Sequence, residues 1–268
     1  FSLFGKKPLA LDVDDYDPAR LRLRIKHASM MKNLTLRRAL RFSVTAHAAL
    51  LPLADHKWIS NREDNFYPEL RNATLLPNVL SPNLFQKASS VAPIKEDVQC
   101  HCLVMVGSFN YSANLDGVIW FVREVWPLVL RDLPMVKLKL VGGGIDGRRK
   151  RMLESNQGVC VCGFVDNLVP VYSDCLATIA PILAGGGTNI KIIESAAFGR
   201  APILTTVAHR GLRESLRPNL ECLLARDAAE MAQQCVRLLK NPKLARQIGG
   251  AAYRSVKKNH SLAVFEKS

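Results

Sequence analysis

A chain of 268 residues can bury a core in one large or two ordinary domains. Its 48% hydrophobic and 22% charged content excludes a disordered or fibrous class. Its net charge of +14 demands an anionic partner: nucleic acid, phospholipid headgroups or a phosphorylated substrate. No apolar run approaches a membrane span, and the first residues do not read as a secretory leader. Seven cysteines, an odd number set partly in apolar runs (Cys160, Cys162, Cys175), favour buried thiols over a disulfide framework. These features predict a cytoplasmic protein, with enough basic character to sit on the inner face of a membrane.

In chain order, residues 9–15 read as a strand running into an acidic turn, Asp12, Asp14 and Asp15 ordering the turn rather than holding a metal. A long helix is predicted between residues 20 and 51, with Leu36, Leu40, Val44, Ala48 and Leu51 as its apolar stripe and His47 packed beside it. From Arg20 to Arg41 it carries eight Lys or Arg and no acidic residue, as a surface for anionic lipid or for an acidic partner surface would. Residues 56–60 and 73–76 are two short strands, and Ser81-Pro-Asn83 together with the polar stretch 86–97 is a linker. Three strands are too few for a self-sufficient α/β domain. Residues 1–90 are therefore expected to be the last third of one domain, with residues 91–268 a second.

From residue 102 onward strands and helices alternate. Strands are predicted at 103–106, 136–141, 159–161, 176–183, 201–204 and 222–224, with helices at 114–131, 227–240 and 242–258. Such alternation gives a Rossmann-like doubly wound parallel sheet, whose ligands gather at the carboxyl ends of the strands. Trp120 and Trp126 fit the buried face of the first of these helices.

The apolar run ending at Leu183 empties into Gly185, Gly186 and Gly187, and a helix is predicted to begin around Thr188. Glycines allow close backbone approach, and a helix start offers unpaired N–H groups and a positive dipole end. Thr188, Asn189 and Ile190 would present those N–H groups to a phosphate. Lys191 and Glu194, three apart on one helix face, suit phosphate oxygens and sugar hydroxyls respectively. The same pattern also suits an ordinary βα turn with a surface Lys–Glu pair, so locally both readings stand.

An ordered series of short motifs resembles the carboxy-terminal part of a GT-B fold glycosyltransferase of the family 4 type. It runs Val106-Gly-Ser-Phe109, Asn114-Leu-Asp116, Trp120-Phe121, Val125-Trp126-Pro127, Leu140-Val-Gly-Gly143, Cys162-Gly-Phe-Val-Asp166, Ala180-Pro181, Gly185 to Glu194 and Gly211-Leu212. The series covers most of residues 100–215, and Asp12-Val-Asp-Asp15 and Leu76-Pro-Asn78 resemble the end of the family's acceptor-side domain. The resemblance implies transfer of a sugar from a nucleotide-sugar donor to a saccharide or lipid-linked acceptor, usually with retention, with no required metal and no further cofactor. It implies ribose binding by Glu194, with Lys191 and Glu194 as the catalytic pair of this half. Gly107, Ser108, Asn114, Gly143, Phe164, Val165, Gly186, Gly187, Thr188, Asn189 and Ile190 would line the donor site, Phe164 serving either as a base contact or as core. Gly186 stands where the family's first paired glutamate is expected. Ser108 and Asn114 replace the arginine and lysine that commonly hold the diphosphate, so Lys191 or a residue of the basic run 148–151 must supply that charge. The acceptor-side catalytic residues would precede Phe1, so the chain is expected to bind donor and to transfer it poorly.

Three rivals remain. Gly142 to Gly147 fits G-x-G-x-x-G after a strand, as in a NAD-dependent oxidoreductase, but follows the domain's second strand and not its first. Cys100, Cys102, Cys160 and Cys162 offer two C-x-C pairs for zinc, but on strands of different βα units. Nucleic-acid binding would use the charge, yet aromatics make up only 7% of the chain and none interleaves the basic stretch.

Overall fold

The computed structural model describes residues 8–13, 18, 21–22, 25, 30–89, 102–185 and 188–265. Two parallel sheets organise them. The first orders β1 (Ala10–Val13), β2 (His56–Ile59) and β3 (Thr74–Leu75) side by side. The helix α1 (Met30–Leu50) connects β1 to β2, and Leu51, Ile59, Leu70 and Ala73 form a small core of their own.

On α1 the partly or fully buried positions include Leu36, Leu40, Ser43, Val44 and His47, whereas Ala48 is exposed, against the predicted stripe. Repeated i+4 steps advance about 40° each on a 3.6-residue helix, so the stripe rotates off the face by its fourth member. Positions 43 and 47 fall back into line. His47 Nδ1 meets Ser43 O there at 2.8 Å.

The second sheet has six parallel strands: β4 (Cys102–Val106), β5 (Lys137–Val141), β6 (Val159–Gly163), β7 (Ala177–Ala180), β8 (Ala201–Thr205) and β9 (Leu223–Ala225). Their spatial order is β6-β5-β4-β7-β8-β9. Strands buried on both faces read as near-continuous apolar runs, which is why β4, β7 and β8 carry so few polar residues.

One face packs on α3 (Ser112–Trp120), a π-helical turn (Phe121–Val125), α4 (Trp126–Asp132) and α8 (Ala228–Leu239), through Phe121, Trp126, Val129, Met231 and Leu238. The predicted single helix 114–131 is thus continuous but widened in the middle. Pro127 has no N–H to give the preceding turn, and a π-bulge absorbs the gap. Trp126 is wholly buried and donates from Nε1 to Gln157 O at 2.8 Å.

The other helices are α5 (Gly147–Glu154), α6 (Val169–Ser173), α7 (Ile190–Ala197), α9 (Pro242–Asn259) and α10 (Leu262–Phe265). Part of the predicted linker is also helical: α2 (Pro82–Ser89) begins at the cap Ser81, whose Oγ accepts from Leu84 N, with Pro82 at its first position. Leu84 and Phe85 pack on the larger core. The rest of that linker, 90–97, lies outside the described residues, as do Asp14, Asp15, Cys100, Gly186 and Gly187.

Candidate functional site

Between β4 and β7 the strand order reverses, so the loops leaving these two strands diverge and open a crevice. The β4 loop begins at Gly107, whose N–H donates to Val141 O at 3.0 Å, and the β5 loop begins at Gly142, whose N–H donates to Gly163 O at 2.7 Å. The three loops are stacked tightly. A Cβ on Gly142 would lie 1.9 Å from Gly107 O, and its φ of +138° excludes ordinary side chains as well. A Cβ on Gly143 would meet nothing within 4 Å, so that glycine faces open space.

Lys191 enters from α7 and reaches the β4 loop. An added Cβ on Gly107 would lie 3.2 Å from Lys191 Cε and 3.1 Å from Asn114 Nδ2. Gly107, Asn114 and Lys191 therefore surround one point. Asn114 is buried and donates to Ser108 O at 2.7 Å, while its Oδ1 is buried without a hydrogen-bond partner among the described residues. Such an orphan acceptor calls for a donor. Lys191 Nζ lies 3.2 Å from Asn189 Oδ1, and burial pushes its pKa down to about 8.

Among the described residues, no side chain caps the start of α7. Asn189, at its N-cap, turns its amide to Ala208 O (3.0 Å) and caps no N–H of the helix. At α5, by contrast, Asp146 accepts from Arg149 N at 2.8 Å and fills the helix start. The Gly142 to Gly147 turn thus presents a carboxylate where a dinucleotide's phosphate would dock. Arg148 to Arg151 are exposed, Arg149 pairing with Asp146 and Lys150 with Glu154, so the basic run is a solvated face. Lys191 is left as the cation beside Gly107.

Glu194, one turn along α7, accepts a 2.8 Å hydrogen bond at Oε1 from Tyr172 OH. Burial raises its carboxyl above the ordinary value, and the tyrosine draws it back. Tyr172 is itself wholly buried and stacked on Phe198 at 4.4 Å. Sequence reasoning missed this tyrosine. Its signal was a hydroxyl in the apolar segment Val169-Pro-Val-Tyr172, since buried tyrosines need a partner.

Phe164, just past β6, is 75% exposed, which removes the core alternative. Val165, like Val106, packs on the smaller core cluster. Ser108 is exposed and contributes its carbonyl to Asn114. Ile190 is exposed, and Thr188 Oγ1 donates to Ser60 O (2.9 Å) at the end of β2, linking the glycine loop to the first sheet. Cys160 and Cys162 share the outer face of β6 with sulfurs 3.8 Å apart, and among the described residues no His, Cys, Asp or Glu joins them as a metal cluster.

The family model described as Glycosyl transferases group 1 matches residues 100–241, just over half of the chain. A curated Klebsiella pneumoniae protein, an uncharacterized 44.6 kDa protein in the cps region, is 22% identical over 165 residues, 59% of this chain and 42% of that protein. Among solved structures, S. aureus TarM in a complex that includes UDP aligns with TM-score 0.64 and 15% identity, covering 80% of this chain and 43% of that one. Anabaena HepE with UDP and glucose aligns at 0.69 and 14%, covering 97% and 70%. Sucrose-phosphate synthase from Thermosynechococcus elongatus aligns at 0.67 and 19%, covering 96% and 65%. At these identities the structures establish the fold, the GT-B arrangement of parallel sheets. The chain spans less than half the length of the curated relative and of TarM.

Proposed function

The chain belongs to the group 1 glycosyl transferase family, and we propose that it carries the donor side of a sugar-transfer site. In this reading a nucleotide-sugar lies in the crevice between the β4 and β7 loops and gives its sugar to a saccharide or lipid-linked acceptor approaching from the first sheet. The convergence of Gly107, Asn114 and Lys191 carries the proposal. It replaces the family's usual arginine and lysine with a cation from α7, placed where a glycine lets phosphate come close.

The chemistry follows from charge. As the glycosidic bond breaks, negative charge grows on the departing nucleoside diphosphate, and fixed donors must meet it there. Lys191 and the uncapped N–H groups at the start of α7 serve that purpose. Glu194 accepts from the ribose hydroxyls, and the exposed ring of Phe164 offers the base a stacking surface. Retention at the sugar carbon, with Lys191 rather than a metal countering the leaving group, rests on the resemblance of residues 100–215 to the family. The HepE and TarM complexes, which include UDP, support a uridine donor. The same reading gives the exposed basic face of α1 to anionic lipid at a membrane surface.

Melting the full chain with UDP-, GDP- and dTDP-linked sugars tests the donor site. A true donor at about 100 times its Kd adds roughly 2.7 kcal/mol of stability. No shift with any of them would sink the reading.

A further inference from the structure

We propose that Tyr172 is the positioning residue of the ribose site, holding the Glu194 carboxylate so that, among the described residues, only one of its oxygens is committed. The inference rests on the donor-site reading and adds a residue to it.

The geometry is specific. Glu194 is only partly buried, and among the described residues Tyr172 OH, 2.8 Å away, is its one hydrogen-bond donor, acting on Oε1. The phenol is a fixed donor, because burial first and the neighbouring carboxylate second hold its pKa well above the ordinary value. Its ring stacks on Phe198 with an interplanar angle of 24°. Its backbone is fastened independently: Arg200, itself buried, donates from Nε to Tyr172 O, and Cys175 lies 3.6 Å from the same oxygen.

A tyrosine held this firmly at ring and carbonyl places its hydroxyl without freedom. The carboxylate it grips therefore cannot swing on its flexible stem. Tyr172 also belongs to α6, the element entered from the Phe164 and Val165 turn, whereas Glu194 belongs to α7. The bond thus ties the turn expected to hold the base to the residue expected to hold the ribose.

Ribose recognition gives a readout that a purely structural tyrosine would not move. Binding of UDP and of 2′-deoxy-UDP to the full chain is measured by calorimetry for the wild type, Tyr172→Phe, Glu194→Gln and the double variant. The wild type should prefer the ribonucleotide by about tenfold, the value of one hydrogen bond to a charged group. Tyr172→Phe should lose most of that preference, and the double variant should lose no more than Glu194→Gln alone. Phe198→Leu keeps both polar groups but frees the ring to tilt, and should lower the preference by a smaller factor.

Equal weakening of both nucleotides in Tyr172→Phe would make the tyrosine merely structural and overturn the inference. So would a wild-type preference retained in Phe198→Leu when Tyr172→Phe is too unstable to assay. A wild type that binds UDP with no ribose preference overturns this inference while sparing the donor site. A wild type that binds no nucleoside diphosphate takes down both.

Discussion

A lysine packed against Gly107 gives up hydration that an exposed ammonium keeps, and Lys191 accordingly titrates near 8 rather than at its ordinary 10.5. Between those two values the unfolded chain binds the proton and the folded chain does not, so this group makes stability rise with pH across that window. Below about 8 both states are charged and the full penalty is present. A diphosphate reverses the preference by supplying the missing counter-charge. Lys191→Met, which keeps the apolar stem, is therefore expected to stabilise the fold at pH 7 by about 3 kcal/mol at most, and so to raise Tm. The same change should weaken UDP binding about tenfold or more. At pH 9 the wild type should take up close to one proton on binding UDP, seen as an observed enthalpy that varies with buffer ionisation enthalpy, and the variant should take up none. A variant that leaves UDP affinity unchanged would remove Lys191 from the site.

At the scale of elements, strands buried on both faces announce themselves, because the sheet admits only apolar side chains along their whole length. The strands at 103–106, 201–204 and 136–141 were legible to within a residue or two for that reason. Where the fold was not legible, the cause was geometric. Residues 86–89 look polar because, among the described side chains of α2, only Leu84, Phe85 and the small Ala88 turn inward, and no pattern in β4 foretells that a lysine about 85 positions later will lie against Gly107. In the candidate site the helix start carrying Lys191 and Glu194 was legible, whereas the pairing of Tyr172 with Glu194 was not, since a bond between separate helices leaves no spacing to read. On α1, Leu34, Arg38 and Arg41 lie on one exposed line, flanked by Arg37 and by Phe42, which is 77% exposed. An amphipathic basic face of this kind suits an anionic interface. In vesicle flotation the full chain should bind membranes containing anionic lipid and release them in high salt. Arg38→Gln with Arg41→Gln should cut partitioning roughly 30-fold, at about 1 kcal/mol per arginine. Equal flotation with neutral vesicles would leave this face without a membrane role.

At the scale of the molecule, a set of polar contacts joins the segment after β2 to the segment after β8. Glu63, just after β2, lies 2.9 Å from Arg210 and 3.0 Å from Arg213, and Arg62 lies 3.3 Å from Glu214. Behind them the chain returns from the second sheet to the first. His260, at the end of α9, accepts from Leu80 N through its backbone carbonyl and meets Asn78 O with Nδ1 at 2.7 Å. A carbonyl can only accept, so Nδ1 carries the hydrogen and Nε2 is left to accept from Ser215 Oγ, also at 2.7 Å. Neutral imidazole thus clamps the segment that joins the sheets. Burial lowers the pKa of His260 below its ordinary 6.5, and does the same to His209, whose Nε2 donates to Leu216 O. As pH falls through 6.5 the unfolded chain takes up these protons first, so stability declines from there down to the folded-state pKa values. Tm should therefore drop between pH 7 and pH 5. His260→Gln, which cannot be protonated, should start lower at pH 7 because it fits the clamp less well, yet lose less on acidification. His209→Gln should remove a separate share of the acid loss. If His260→Gln falls with pH as steeply as the wild type, protonation of His260 is not what loosens the fold in acid.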